Sequence, residues 1–441
     1  MEKRLKFGEK LAFGLGDFGG NFCFSFLSSF ALIYFTDVVG ANAGIVATLL
    51  MVAKCLDGVT DFVVGHMIDK TNTKMGKARP WLFWSAFPLA IALIMMFNVP
   101  TMLSATAKLV YIFVVYVLLC AFFYTANNIS YNALTSLVTN NAEDRVSMGS
   151  IRFMFTAVAG IIIGSFTTVL ISAFGSGQKG WTMVAFFYAG IFLISTMITV
   201  FGLKEINGAT TVEKKETGIS FGESVKALLT NKYFIENFFI FLVMYIYTGS
   251  SATSGIYYAT YILGNADLYG LLSIAMMIPM FVSLIFASKL VEKLGMRKTG
   301  IACAVLFAIG SLVTLAGNNS LGILIVGIVI RSIGMGPIST LIFALIAEVS
   351  DNISYTKKID VTGMVYSCSS IGIKIGTGLG IAIAGWMLEF GEYDGAVHAD
   401  SANAMITAAY TVVPLFIGIA MIALFTIMKV EKNNEQYRKN M

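Results

Sequence analysis

Apolar runs of about twenty residues, the length a helix needs to cross a bilayer, recur along the whole chain with short polar stretches between them. They lie near 11–36, 41–66, 81–99, 108–137, 150–173, 181–203, 233–262, 268–290, 299–317, 321–347, 361–388 and 404–428. The pattern predicts an all-α integral membrane protein of about twelve transmembrane helices. The longest polar stretch, Lys204 to Lys232, divides these runs six and six. The expected organisation is therefore an amino-terminal bundle over 1–203, a central loop over 204–232, a carboxy-terminal bundle over 233–430 and a tail over 431–441. Within the loop, Phe221 to Leu229 has the pattern of a short amphipathic helix lying at a membrane surface.

The basic residues fix an expected orientation. Lys3, Arg4, Lys6 and Lys10 share one side with Lys70, Lys74, Lys77 and Arg79, with the central loop, and with Lys429, Lys432, Arg438 and Lys439. The opposite connections hold only Lys108 and Lys179. Positive residues stay inside, so both termini and the central loop are expected to be cytoplasmic, in the plasma (inner) membrane. Composition agrees, since 57% hydrophobic and 12% charged residues exclude a soluble globular protein. The amino terminus lacks a cleavage-site pattern, which predicts that the first helix is retained. The net charge of +5 points to anionic lipid headgroups and gives no case for nucleic acid. All five cysteines fall in apolar runs without metal-ligand spacing and read as small core residues. His66 and His398 are far apart, and no nucleotide loop is present, so neither an enzyme nor a cofactor is expected.

Against this background the intramembrane charges stand out. Lys54, Asp57 and Asp61 fall at i, i+3 and i+7, on one stripe of the second helix. Each costs about 2.5 to 3.5 kcal/mol to insert, a cost that persists where the residue faces water and works on a cation. A structural ion-pair cluster is the plainer alternative. Other polar residues at membrane depth are Asp17 and Asn21, Thr125, Asn127, Asn128 and Asn132, Arg152, Arg331 and Lys374. Lys374 lies in Gly372-Ile373-Lys374-Ile375-Gly376, where a bare ammonium needs a carboxylate such as Asp57 or Asp61. Asp17 has Lys10 or Arg152 as possible partners, and Arg331 either pairs with a carboxylate or snorkels. Asp69 with Lys77 or Arg79 forms a candidate cytoplasmic latch, and Asp17 and Lys54 complete the candidate charge network.

The halves also echo each other. Gly65-His66-Met67-Ile68-Asp69-Lys70 with Met75-Gly76-Lys77-Ala78-Arg79 has a counterpart in Lys289-Leu290-Val291-Glu292-Lys293-Leu294-Gly295-Met296-Arg297-Lys298, each an acid, basic residues and a glycine in a tight turn, and Asn128-Ile129-Ser130-Tyr131-Asn132-Ala133-Leu134 has one in Gly336-Pro337-Ile338-Ser339-Thr340-Leu341-Ile342. Two such halves suggest the major facilitator architecture, with a midplane site between rocking bundles.

Gly14-Leu15-Gly16-Asp17 with Asn21, Tyr34-Phe35-Thr36-Asp37-Val38-Val39-Gly40, Leu56-Asp57 with Asp61, Gly76-Lys77 with Pro80-Trp81, and Asn128-Ile129-Ser130-Tyr131 together resemble one family. It is the glycoside-pentoside-hexuronide:cation symporters of the major facilitator superfamily, typified by melibiose permease. The resemblance implies a cation site at Asp57, Thr60, Asp61 and Thr125, with Lys374 nearby. Two carboxylates one turn apart with hydroxyl oxygens suit Na⁺, and their mutual repulsion equally favours a shared proton. It implies a sugar site at Gly20, Asn21, Tyr124, Asn128, Asn132 and Arg152, joined by Lys374. Here the chain departs from melibiose permease, in which acids occupy the positions of Asn21 and Asn128, a lysine that of Gly20 and a tryptophan that of Asn132. Losing those acids while keeping Arg152 and Lys374 gives a slight preference for an anionic sugar such as a hexuronide. The expected activity is Na⁺- or H⁺-coupled symport of a glycoside, pentoside or hexuronide by alternating access. The alternatives are a same-fold carrier of a lipid-like or other organic anion, and a solute sensor that does not transport, which the short inner segments disfavour.

Overall fold

The computed structural model describes residues 4–139, 141–206, 221–317, 320–359, 362–395 and 399–439. Its helices are α1 (Phe7–Val38), α2 (Ala43–Lys70), α3 (Arg79–Met96), α4 (Ala105–Leu137), α5 (Ala142–Ala173) and α6 (Gly177–Gly202). The short α7 (Phe221–Leu229) is followed by α8 (Lys232–Ile262), α9 (Leu268–Leu284), α10 (Ala287–Ala316), α11 (Leu321–Lys357), α12 (Thr362–Phe390), α13 (400–427) and α14 (Val430–Lys439). Among the described residues, eleven helices are long and apolar enough to cross a membrane, and the shorter α9 is a twelfth apolar helix.

Several ends follow from local chemistry. Asn42, Ser104 and Asn141 accept backbone N–H groups at the starts of α2, α4 and α5, and Pro80 sits in the first turn of α3 where its missing N–H costs nothing. The apolar run expected over 268–290 is broken, because α9 stops at Leu284 and a turn at Ile285 and Phe286 precedes α10. Conversely, α11 continues about ten residues past its apolar run to Lys357, because hydropathy marks the membrane and the helix can extend into water.

The chain forms two compact units. The first contains Met1–Thr211 with Gly255–Ser273 and Gly385–Asn403. Its centre is α1, whose glycines admit three neighbours. A Cβ at Gly14 would meet the Phe155 ring at 2.6 Å, one at Gly16 the Tyr131 ring at 2.6 Å, and one at Gly19 the Ser195 Cβ at 2.7 Å. Tyr131 and Thr199 hydroxyls then donate to the Phe13 and Ala12 carbonyls at 2.9 and 2.7 Å.

The second unit contains Val212–Ser254, Ile274–Ala384 and Ala404–Met441. Its core joins Phe241, Tyr247, Phe307, Leu341 and Met421. Here α8 and α12 cross at backbone contact, with Cβ positions at Gly249 and Gly380 falling on the Thr377 and Ile246 carbonyls. A Cβ at Gly376 would meet the Leu242 carbonyl at 2.7 Å, so the glycines around Lys374 form a packing stripe of the small-residue kind.

Each unit carries the same clamp. In the first, Gly76 turns at φ +113°, and the Glu205 carboxylate accepts the N–H groups of Lys77, Ala78 and Arg79 at 2.7, 3.0 and 2.8 Å. Arg79 Nε returns to the Val200 carbonyl at 2.7 Å. In the second, Gly295 turns at φ +76°, Glu431 accepts the Met296 N–H at 2.9 Å, and Arg297 donates to the Thr426 carbonyl at 2.6 Å. The weak sequence echo is thus a repeated device. A glycine in the left-handed region opens room for a carboxylate at the next helix start, which favours negative charge.

Candidate functional site

The stripe on α2 is buried. Lys54 and Asp57 are each 3% exposed, and Asp61 is half-buried. The Lys54 ammonium sits 4.9 Å over the Phe24 ring, a cation–π contact with α1. Asp57 Oδ1 accepts the Thr125 hydroxyl at 2.5 Å, and the Thr60 hydroxyl donates to the Asp57 carbonyl at 3.1 Å. Thr125 reaches this position because residues Leu118–Tyr124 form a π-helical segment. The widened turn lets the Thr125 N–H bond the Cys120 carbonyl five residues back, and such π turns concentrate at functional sites. Asp57, Thr60 and Thr125 thus bring a carboxylate and two hydroxyls to one neighbourhood, with Asp61 one turn on along α2. Carboxylate and hydroxyl oxygens are the donor type that a hard cation takes, and a carboxylate is equally a place for a proton.

One residue before Thr125 begins a second polar face. The Asn128 amide reaches the Tyr124 hydroxyl at 3.5 Å, the Asn132 amide donates to Asn128 Oδ1 at 2.9 Å, and Arg152 donates to Asn132 Oδ1 at 2.6 Å. Arg152 Nε then pairs with Asp17 Oδ1 at 2.9 Å, the two side chains being 31% and 10% exposed. Asp17 also accepts the Asn21 amide at 3.1 Å and the Thr156 hydroxyl, and Ser25 donates to Asn21 Oδ1 at 3.3 Å. The Arg152 guanidinium lies 5.1 Å over the Tyr131 ring. A Cβ at Gly20 would meet no atom within 4 Å. Helices α1, α4 and α5 thus present one continuous array of amides, hydroxyls and an ion pair, a surface suited to sugar hydroxyls.

Of the remaining residues singled out in the sequence, Lys374 lies half-buried on α12 in the second unit. Lys77 and Arg79 belong to the Glu205 clamp, and the Asp69 side chain lies outside the described residues. Arg331 does not snorkel, and among the described residues it meets no carboxylate. It is wholly buried, 5.4 Å from both the Tyr247 and Tyr410 rings, and it donates to the Tyr410 carbonyl at 3.3 Å. The partners that sequence reasoning missed are Thr156 and Ser25, and it left Asp17 open between two cations. A signal existed in the i, i+4 spacings Asp17–Asn21, Asn21–Ser25 and Arg152–Thr156, which put each pair on one helix face.

A family model described as MFS/sugar transport protein matches residues 12–432. The isoprimeverose transporter of Lactiplantibacillus pentosus is 30% identical, over 96% of this chain and 89% of its own. The inner membrane symporter YicJ of Escherichia coli (strain K12) is 27% identical, over 92% of this chain and 88% of its own. Among solved structures, that of a D-xylose-proton symporter superposes with a TM-score of 0.66 at 12% identity, covering 96% and 99% of the two chains. That last likeness shows the fold, which is that of the major facilitator transporters, and these similar proteins are transporters and not enzymes.

Proposed function

From the premise that this chain belongs to the MFS/sugar transport family, in its glycoside-pentoside-hexuronide symporter branch, we propose a cation-coupled symporter of a glycoside working by alternating access. Na⁺ or H⁺ enters at Asp57 and Asp61 with Thr60 and Thr125, and the sugar is held through its hydroxyls by Asn21, Tyr124, Asn128, Asn132 and Arg152. Asp17 joins this group, because it orients both Arg152 and Asn21. Its carboxylate also answers the Arg152 charge, which weakens the case for an anionic sugar made from the lost acids alone. The protein sits in the plasma membrane with both termini on the cytoplasmic side, where the basic loops place them.

One observation carries the coupling. The carboxylate of the cation stripe is hydrogen-bonded to Thr125, and Thr125 directly follows Tyr124, where the sugar array begins on the same helix α4. Filling the cation site therefore sets the position of α4 and with it the sugar contacts, and by linkage the sugar raises cation affinity by the same factor. Uptake of a panel of neutral glycosides and glucuronides into proteoliposomes, under imposed Na⁺ or pH gradients, tests the proposal. Accumulation of one sugar under one gradient is expected, and failure of every sugar under both gradients would refute it.

A further inference from the structure

The segment Tyr34-Phe35-Thr36-Asp37-Val38-Val39-Gly40 takes no part in either polar face. It ends α1 as a π-helical turn, at the end away from the basic loops, and leaves the Asp37 carboxylate exposed. Within the first unit, donors from two distant parts of the chain converge on that carboxylate. Tyr393, beyond α12, donates to Oδ1 at 2.7 Å, and Tyr261, at the end of α8, donates to Oδ2. Thr36 donates to Oδ1 at 2.6 Å and shares a 2.8 Å hydrogen bond with the Tyr257 hydroxyl. The rings pack on one another, with Tyr257 and Tyr261 centred 5.4 and 5.5 Å from Tyr393.

We propose that Asp37 and the phenols of Tyr257, Tyr261 and Tyr393 form a latch that closes the sugar path at its outer end and must open and reclose in each transport cycle. This rests on the symport reading above. By sequence, the three tyrosines belong to the carboxy-terminal six helices and Asp37 to the amino-terminal six, so alternating access has to part them. The chemistry suits a reversible joint. The carboxylate is at the surface, so water replaces the phenols when they leave, and no buried charge is stranded. Burial first, and then the neighbouring Tyr257 and Asp37, push the Tyr393 phenol well above its ordinary pKa, which keeps it a donor at physiological pH. Backbones close up around the same joint. A Cβ at Gly395 would lie 3.3 Å from Asp37 Cα.

The first test reads accessibility and needs no sugar, so it separates this proposal from the transport reading. With Gly20→Cys as reporter, a membrane-impermeant thiol reagent is applied from outside to intact cells, and labelling is compared with that of the protein lacking the reporter. Tyr393→Phe and Asp37→Asn are each expected to raise the labelling rate about tenfold, the order expected for losing a hydrogen bond to a charged group. Unchanged rates in both variants, at unchanged melting temperature, overturn the latch. Should either variant fail to fold, Asp37→Cys with Gly395→Cys brings two thiols within disulfide reach. Oxidation is expected to abolish uptake and reduction to restore it, and full uptake by the cross-linked protein overturns the proposal.

Discussion

Replacing Asp17 by Asn removes the charge that faces Arg152 while keeping the shape of the side chain. The wild-type carboxylate accepts from Arg152, Asn21 and Thr156, and its side chain is only 10% exposed. A hydrogen bond to a charged group contributes about 1.5 to 3 kcal/mol when buried. Arg152 is 31% exposed, so solvent screening brings the expected effect on sugar binding to about 1 to 2 kcal/mol, or roughly 5- to 30-fold in Kd. The assay is a double-mutant cycle of Asp17→Asn, Arg152→Gln and the pair, read by calorimetric sugar binding at saturating cation. Because Asp17 acts through Arg152, the double variant is expected to bind little worse than the weaker single one, with a coupling energy near 1 kcal/mol. Cation affinity measured without sugar is expected to stay unchanged. Single effects that add to within about 0.3 to 0.5 kcal/mol would refute the pairing, as would single variants with unchanged sugar affinity.

Three further outcomes follow from the geometry. Thr125→Val keeps the volume and deletes the hydroxyl bound to Asp57, so the half-saturating cation concentration for uptake is expected to rise by about 5- to 30-fold; an unchanged cation dependence would remove Thr125 from the site. Glu205→Ala uncaps the three N–H groups at the start of α3 and is expected to cost about 3 kcal/mol in reversible unfolding. Glu205→Gln, which keeps an acceptor, is expected to lose less, and equal losses would count against the clamp. Arg331 is a buried charge met by two rings and one carbonyl, so Arg331→Met is expected to leave stability within about 1 kcal/mol or raise it. Arg331→Ala is expected to lose about 3 kcal/mol through the cavity it leaves, and a methionine variant that melts as early as the alanine one would show that the charge itself stabilises the bundle.

The helices were legible because hydropathy reports the membrane directly, and it failed where that link breaks, at the turn of Ile285 and Phe286, in the start of α10 at Ala287 ahead of its apolar run, in the extension of α11 to Lys357 and in the helical tail α14. Lys54, Asp57 and Asp61 were visible because a charge in an apolar run is expensive and one helix carries all three. The Asp17–Arg152 pair was only half visible, since its members are 135 positions apart and Lys10 was an equally good candidate. In the structure Lys10 meets Asp144 at 2.8 Å. Glu205 and Glu431 carry no signal of their own, because a carboxylate just past an apolar run looks like any solvated loop residue. Their role depends on a glycine in another loop whose φ sequence does not state. The glycines at 372 and 376 read as an apolar setting for Lys374, and only the Leu242 carbonyl of α8 pressed against Gly376 explains the second.

In the proposed cycle the α2 carboxylates convert cation entry into sugar accumulation. This conversion is tested most directly by measuring sugar accumulation and sugar exchange in the same proteoliposomes, with wild type, Asp57→Asn and Asp61→Asn. Both variants are expected to lose accumulation driven by the cation gradient, with exchange at equal sugar concentrations persisting in Asp61→Asn. Accumulation at the wild-type level in either variant would contradict it.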